Sequence, residues 1–117
     1  MTWDDVVRLG LALPGVEVSA SWGTPALKVA GKLMARLKED GETLVLVRIG
    51  FDQREMLMEA EPATFHFTAH YKDYPAVLAR MESLHPGSFR NFLDRRWRKI
   101  APKKLVKERD AGAPLAE

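Results

Sequence analysis

The strongest chemical signal in this 117-residue sequence is positive charge concentrated near its C-terminal end. Residues 90–109 hold nine Arg or Lys and two acidic residues, so this segment carries +7 while the rest of the chain carries −5. The run LDRRWRKIAPKKL, residues 93–105, contains six of these cations. Contacts from lysine and arginine to phosphates neutralise charge without reading base edges. The segment therefore predicts weak, non-sequence-specific binding to DNA.

The apolar residues of the same segment indicate which of its side chains reach solvent. Phe89, Phe92, Leu93, Trp97 and Ile100 recur at the spacing of one helical face. Trp97 is therefore predicted to pack into the core, and the cations to lie on the outer side. An ordinary amphipathic helix also carries charged residues on its solvent-exposed face. The alternative interpretation is therefore that the basic run is only such a face and binds no ligand.

The candidate DNA contacts are the cations on that outer side, together with two from a predicted β-hairpin. The helical candidates are Arg95, Arg98, Lys99, Lys103, Lys104 and Lys107, and the hairpin candidates are Lys28 and Lys32. The hairpin is expected to act as a wing beside the helix. Acidic residues at the next turn, in the segment EDGE at 39–42, argue against that second turn approaching DNA.

Residue types that perform catalysis or bind metals give no comparable pattern. His66 and His70 are four residues apart, but a strand and a loop would separate their imidazoles, so we expect no metal site. The absence of Cys excludes disulfides, thiolate ligands and Cys nucleophiles. There is no G-x-S-x-G motif and no phosphate-binding glycine loop. We therefore expect a protein that is not an enzyme and needs no cofactor.

A small-molecule pocket is a further, less favoured hypothesis. Trp22, His66, His70 and Tyr71 offer aromatic and polar groups that a folded chain could bring together. This hypothesis requires Trp22 to lie near the strand that contains His66.

The elements that must position these residues follow from hydrophobic periodicity and turn signals. Helices are predicted near 2–13, 53–60 and 89–100, and strands at 26–30, 33–39, 43–49, 64–68 and 76–81. Residues 16–25 are predicted to form a loop. The order α-β(3)-α-β(2)-α predicts an α+β, two-layer sandwich with a five-stranded, mainly antiparallel sheet. Residues 1–109 form the predicted domain, and residues 110–117 a flexible tail.

The strand TLVLVRI, at 43–49, is apolar on both faces. If helices cover one face, the other face would meet water unless a partner covers it. This observation supports a second hypothesis, a protein-interaction or chaperone-like module, with homodimer formation through an exposed apolar sheet face.

Several short motifs along the chain resemble one known family. They are Pro14-Gly15, Trp22-Gly23-x-Pro25, Lys28-Val29-x-Gly31-Lys32, Tyr74-Pro75-x-Val77-Leu78, and Trp97 with Ala101-Pro102-Lys103. In order and spacing the chain resembles the MmcQ/YjbR family of small bacterial proteins from about Leu9 to Leu105. The resemblance implies a fold likened to secretion chaperones or frataxin, and a DNA-binding function. The frataxin likeness also implies acidic iron sites on the first helix, but that helix offers only Asp4 and Asp5, so we expect no iron chemistry.

Composition also indicates where in the cell the protein is expected to lie. No run approaches the roughly 20 apolar residues of a membrane-spanning helix. The sequence MTWDDVVRLG lacks the basic n-region of a secretory signal. Together with the absence of Cys, these features predict a cytoplasmic protein without a membrane partner.

Overall fold

Residues 1–112, the part of the chain that the computed structural model describes, form four helices and six strands. The helices cover one face of an antiparallel sheet. A single 3-10 turn, Ala69–Tyr71, precedes the last strand. In chain order the elements are α1 (Trp3–Leu11), β1 (Val16–Ser21), β2 (Thr24–Val29), β3 (Lys32–Leu37), β4 (Thr43–Val47), α2 (Phe51–Ala60), β5 (Phe65–His66), β6 (Ala76–Arg80), α3 (Pro86–Ile100) and α4 (Lys103–Gly112).

The sheet has the strand order β1-β2-β3-β4-β6-β5, and every neighbouring pair is antiparallel. The predicted α+β class and element order are confirmed, with one strand more than the five predicted. The additional strand is β1, which lies in the segment predicted as a loop. It pairs with β2 from Val16↔Val29 to Ser21↔Thr24. Its signal is weak because Val16 is the only residue of β1 that is buried, as expected for an edge strand.

The main core lies between the helices and the inner face of the sheet. Trp97, Phe89 and Leu93 of α3 are almost completely buried. Helix α1 approaches the sheet at Gly10, where a Cβ atom would lie 2.5 Å from Cδ1 of the buried Leu27. That separation is far below van der Waals contact. Helix α1 can therefore pack this closely on the sheet only because residue 10 is a glycine and has no side chain.

The outer face of the sheet is covered by the protein itself. Val45, Ala76 and Leu78 form a second buried cluster, with Tyr71 packed against it. Arg36 is buried on the same face, and its guanidinium donates hydrogen bonds to the Tyr71 hydroxyl and to Glu39. The predicted exposed apolar sheet face is therefore wrong: the outward Val45 is only 1% exposed.

Arg54 holds the segment that makes this cover. Its guanidinium donates to the backbone carbonyls of four residues at 2.9–3.2 Å: Tyr71, Lys72, Tyr74 and Ala76. It also lies 4.9 Å from the Phe51 ring and 4.2 Å from the Phe67 ring. The order of polar and apolar residues in QREMLMEA, residues 53–60, predicts that Arg54 faces water and Met56 faces inward. The structure contradicts both predictions, because Arg54 is buried and Met56 is 68% exposed. The planar guanidinium group can donate to several carbonyl groups at once. These hydrogen bonds offset the cost of burying the charge of Arg54.

Helix α4 continues to Gly112, three residues beyond the predicted domain boundary. The rest of the predicted tail, residues 113–117, lies outside the described residues. Within residues 1–112, no helix combines the length and apolar character that crossing a membrane requires.

The close approach at Gly10 predicts an unusual response to alanine. Gly→Ala inside a helix normally stabilises a protein by about 0.5–1 kcal/mol. We expect Gly10→Ala instead to lower the free energy of unfolding by about 1–3 kcal/mol, because the new methyl group overpacks Leu27. In a Leu27→Ala background the same substitution should be neutral or stabilising. Urea denaturation of the unchanged chain, the two single variants and the double variant measures the coupling free energy between positions 10 and 27. A stabilising effect of Gly10→Ala in the otherwise unchanged chain would contradict the packing described.

Candidate nucleic-acid interface

Helix α3 is fixed in rotation by Trp97. The helix begins at Pro86, and His85 caps it by accepting a hydrogen bond from the Gly87 amide at 3.0 Å. Trp97 is fully buried, and its Nε1–H donates to the Pro14 carbonyl at 2.8 Å. The prediction that Trp97 belongs to the core is confirmed. The cations on the opposite side of α3 consequently point away from the sheet.

Helix α4 packs back against the same region after a break at Ala101-Pro102. Leu105 lies against Gly15, whose φ is +75° and where a Cβ atom would be 2.7 Å from Leu105 Cδ1. The Arg109 guanidinium lies 5.2 Å from the Trp97 ring. Helix α4 therefore rests on Trp97 and on Gly15, the residue that follows Pro14.

An ion-pair network joins α3 to α4. Asp94 accepts hydrogen bonds from Arg98 at 3.2 Å and from Arg109 at 2.6 Å, and Arg98 also donates to Asp110 at 3.0 Å. Burial raises the pKa of Asp94, but the hydrogen bonds from Arg109 and Arg98 outweigh it and hold the pKa below its usual value. The hydrogen bond from Arg98 likewise lowers the pKa of Asp110. Both carboxylates are therefore ionised at neutral pH.

Beside this network lies a groove of about 600 Å³ where the β2–β3 turn meets the α3–α4 junction. We call it the corner groove. Apolar residues including Ile100, Pro102 and Val106 contribute to its wall. No acidic residue among residues 1–112 lines it. Its cationic lining consists of Lys32, Arg98, Lys99, Lys103 and Lys107.

Five of the eight candidate DNA contacts thus converge on the corner groove. Within it, Arg98 is already neutralised by Asp94 and Asp110, whereas no carboxylate of residues 1–112 forms an ion pair with any of the four lysines. The lysines come from the hairpin turn, from α3 and from α4, as the wing hypothesis requires.

The remaining three candidates lie elsewhere. Arg95 lines a neighbouring cavity, and the exposed Lys104 lines neither that cavity nor the groove. Lys28 lies between Leu27 and Val29, whose side chains enter the main core, so it projects from the outer face of the sheet, opposite Glu17.

Two arginines of this region were not among the candidates. Arg96 is half-buried and donates through Nε and its terminal nitrogen to the Leu33 carbonyl at 3.2 and 3.0 Å. Arg48, immediately after β4, has a φ of +61°. Arg96 precedes Trp97 at the border of the apolar stripe of α3, a position that the sequence itself indicates, whereas no sequence pattern marks a left-handed arginine.

The predicted pocket at Trp22 and His66 is not formed. Three strands separate β2 from β5, so the Trp22 hairpin and His66 are about 19 Å apart across the sheet. Trp22 is 86% exposed at its turn. His66 instead lines a different cavity with Trp3 and Asp40. Within residues 1–112, no three His, Asp or Glu side chains gather in a way that could hold a metal ion.

Comparisons with known proteins identify relatives that match most of the chain. A family model described as YjbR matches residues 11–99. An uncharacterized protein of Mycobacterium bovis and two of Mycobacterium tuberculosis are each 31% identical to this chain over 124 aligned residues. Each alignment covers 90% of this chain and 92% of the relative. The family match includes Pro14 and Trp97 but ends before α4, so the α4 lysines lie beyond it.

The ion-pair network predicts that α4 detaches in acid. Because the pKa values of Asp94 and Asp110 are lowered by folding, the stability that they contribute is complete above the unfolded value of about 3.9. It is lost as the pH falls through their lower folded values. We expect the amide resonances of residues 103–112 to be unchanged between about pH 7 and 5 and to shift towards coil values below about pH 4.

The Asp94→Asn variant provides the matched test of this mechanism. It should loosen α4 already at neutral pH, because it removes the carboxylate that Arg98 and Arg109 share. An α4 that stays equally protected from hydrogen exchange in this variant, or down to the lowest pH at which the domain is folded, would contradict the assignment.

Proposed function

The chain belongs to the YjbR family, and we propose that it is a cytoplasmic, non-enzymatic protein that binds duplex DNA weakly through its phosphates. The observation that carries the proposal is the corner groove. Four lysines without an ion-pair partner among residues 1–112 converge there from three segments, and no acidic residue of that part lines the groove. Such a surface attracts a regularly spaced polyanion.

The chemistry of the groove favours phosphate contacts over base recognition. Its cations are lysines, which act as mobile point charges, whereas specific base contacts are made most often by rigid forks such as arginine on guanine. The one arginine in the lining, Arg98, is occupied by Asp94 and Asp110. We therefore expect little sequence preference.

We expect the β2–β3 turn to be the wing that approaches DNA. The β2–β3 turn is tight, with Ala30 and Gly31 at φ of 51° and 77°, and it brings Lys32 to the groove. The β3–β4 turn has the opposite charge, and Asp40 is engaged there by the Thr43 amide and hydroxyl. Only the first turn is suited to lie near DNA.

Fluorescence anisotropy with a short labelled duplex tests the proposal. We expect a dissociation constant of about 1–100 µM at physiological salt, and tighter binding at low salt. Release of counterions from up to four neutralised phosphates predicts a slope of roughly −3 to −4 for log K against log salt. A triple reversal, Lys32→Glu, Lys103→Glu and Lys107→Glu, should abolish binding.

A control variant separates the groove from net charge. Lys28→Glu, Lys72→Glu and Lys104→Glu change the net charge by the same amount but lie outside the groove lining. This triple variant should retain most of the affinity. Absence of binding at about 100 µM protein at low salt, or equal losses in the two triple variants, would contradict the proposal.

A second candidate function is self-association, and it rests on β1 instead of the sheet face. Strand β1 pairs only with β2 among residues 1–112, so one of its edges is free. Val18 on this strand is 48% exposed, and Trp22 at the adjoining turn is 86% exposed. A free edge of six residues is a template for pairing with a second copy.

Light scattering coupled to size-exclusion chromatography tests self-association over a wide concentration range. We expect a concentration-dependent dimer that Val18→Lys shifts to monomer, because a lysine on an edge strand opposes pairing. Met56→Lys, which changes an exposed apolar residue on α2, should leave the dimer intact. A strict monomer at every concentration would exclude this second function.

A further inference from the structure

A second cavity, of about 520 Å³, opens between α2, α3 and the end of β4. We call it the interhelix cavity. Its volume falls within the range of roughly 300–1,000 Å³ that is typical of small-molecule sites. It borders the corner groove, with which it shares only Arg98 and Lys99. Lys32, Lys103 and Lys107 do not line it.

One end of the interhelix cavity is strongly cationic. Arg48, Arg95, Arg96 and Lys99 line this end together with the neutralised Arg98, and no acidic residue of 1–112 contributes to the lining. Within that same part of the chain, none of the first four forms an ion pair. An anion that entered this end would therefore not have to displace a protein carboxylate.

Arg48 and Arg96 are close enough to repel each other. Burial lowers the pKa of Arg96, and the charge of Arg48 lowers it further. The Arg96 guanidinium is half-buried and already oriented by the Leu33 carbonyl. Arg48 has a left-handed backbone, which is unfavourable for any residue except glycine. A bound anion would offset the repulsion between the two guanidinium groups. Backbone strain of this kind is found most often at functional sites.

The rest of the cavity is apolar and aromatic. The Phe89 and Phe92 rings lie 6.2 Å apart and within 20° of parallel. Phe92 is half-buried and lines the cavity with Leu57 and Leu84. A planar ring system on Phe92 would extend this stack, and offset stacking is the arrangement that aromatic rings favour.

The two kinds of lining are ordered along α3. Ser88, Phe92, Arg95 and Lys99 follow one another at the spacing of a single helical face, over about 16 Å. Neutral hydrogen-bonding groups lie at the N-terminal end of the helix, where Ser88 and Asn91 line the cavity. The order along the helix is therefore polar, aromatic and cationic.

We propose that the interhelix cavity binds a small aromatic anion, a planar ring system that carries a phosphate or a carboxylate. The ring lies against Phe92, and the anionic group meets Arg48, Arg95 and Arg96. Polar atoms on the far edge of the ring reach Ser88 and Asn91. Nucleoside monophosphates and simple aromatic acids share this chemistry, and the choice of probes distinguishes them.

Isothermal titration calorimetry with five probes tests the proposal on the full chain. The probes are 1-naphthyl phosphate, 1-naphthoate, adenosine monophosphate, neutral 1-naphthol and inorganic phosphate. At least one of the three aromatic anions should bind at least tenfold more tightly than both 1-naphthol and inorganic phosphate. Preference for adenosine monophosphate assigns a nucleotide, and preference for a naphthyl anion assigns a simple aromatic acid. If no aromatic anion exceeds the two reference probes, the proposal is wrong.

The Arg48→Gly variant separates binding from stability. Glycine relieves the backbone strain, so the Tm should stay equal or rise, while affinity for the aromatic anion should fall by roughly tenfold through loss of a charged hydrogen-bond donor. Arg95→Gln should also weaken binding. Lys107→Gln, in the corner groove only, should bind the probe normally. Unchanged affinity in Arg48→Gly and Arg95→Gln would overturn the site, whatever the outcome of the DNA titrations.

Discussion

The contact between the Trp97 indole and the Pro14 carbonyl is the constraint on which the arrangement of charges depends. It links α3 to the loop that follows α1, and it sets the rotation of α3 over the sheet. Gly15, next to Pro14, leaves the space that Leu105 of α4 occupies. Truncation of a buried Trp costs about 3–5 kcal/mol, and the Pro14 carbonyl would also lose its donor. Loss of this contact would release α3 and α4 together.

Because the rotation of α3 is fixed, its cations have different neighbours and differ in whether a carboxylate neutralises them. Arg98 of α3 and Arg109 of α4 lie where the two helices meet and are neutralised by Asp94 and Asp110. Arg96 donates to a backbone carbonyl of β3. The formal +7 of residues 90–109 therefore overstates the charge available to a ligand. Of the cations in residues 90–109 that form no ion pair within residues 1–112, all but Arg90 and Lys104 line two adjoining surfaces, the corner groove and the interhelix cavity.

The outer face of the sheet obeys a separate constraint. The central strand β4 is apolar on both sides, and the chain covers its outer side with the segment around Tyr71. Arg54 holds that segment by donating to four of its backbone carbonyl groups, and Arg36 donates a hydrogen bond to the Tyr71 hydroxyl. Arg36 and Arg54 are both buried beside the strand. The apolar outer side of β4 is therefore covered within the chain itself, without a second protein.

Sequence patterns predicted the parts of this structure that depend on strong local periodicity. The stripe of α3 assigned Trp97 to the core, and alternation with turn residues located β2, β3 and β4. Strand β1 was missed because it buries only one side chain, and Arg54 was misplaced because the apolar residues of α2 do not form a clear stripe.

The candidate site depended more on tertiary structure. Lys28 and Lys32 appeared equivalent in the sequence, but the tight turn between them places Lys32 opposite Val29 on the helix side and Lys28 on the outer face. Convergence of Lys32 with α4 and the left-handed Arg48 have no local signature. Only the folded chain brings these residues to one corner.

The most direct test of the central claim, that α3 and α4 present the corner groove to DNA, is a heteronuclear NMR titration with a short duplex at low salt. The largest shift changes are predicted at Lys32, Lys99, Lys103 and Lys107, with the indole resonance of Trp97 unchanged because its bond to Pro14 persists. Changes centred on β1 or on the β3–β4 turn, or a uniform response over the surface, would contradict the account.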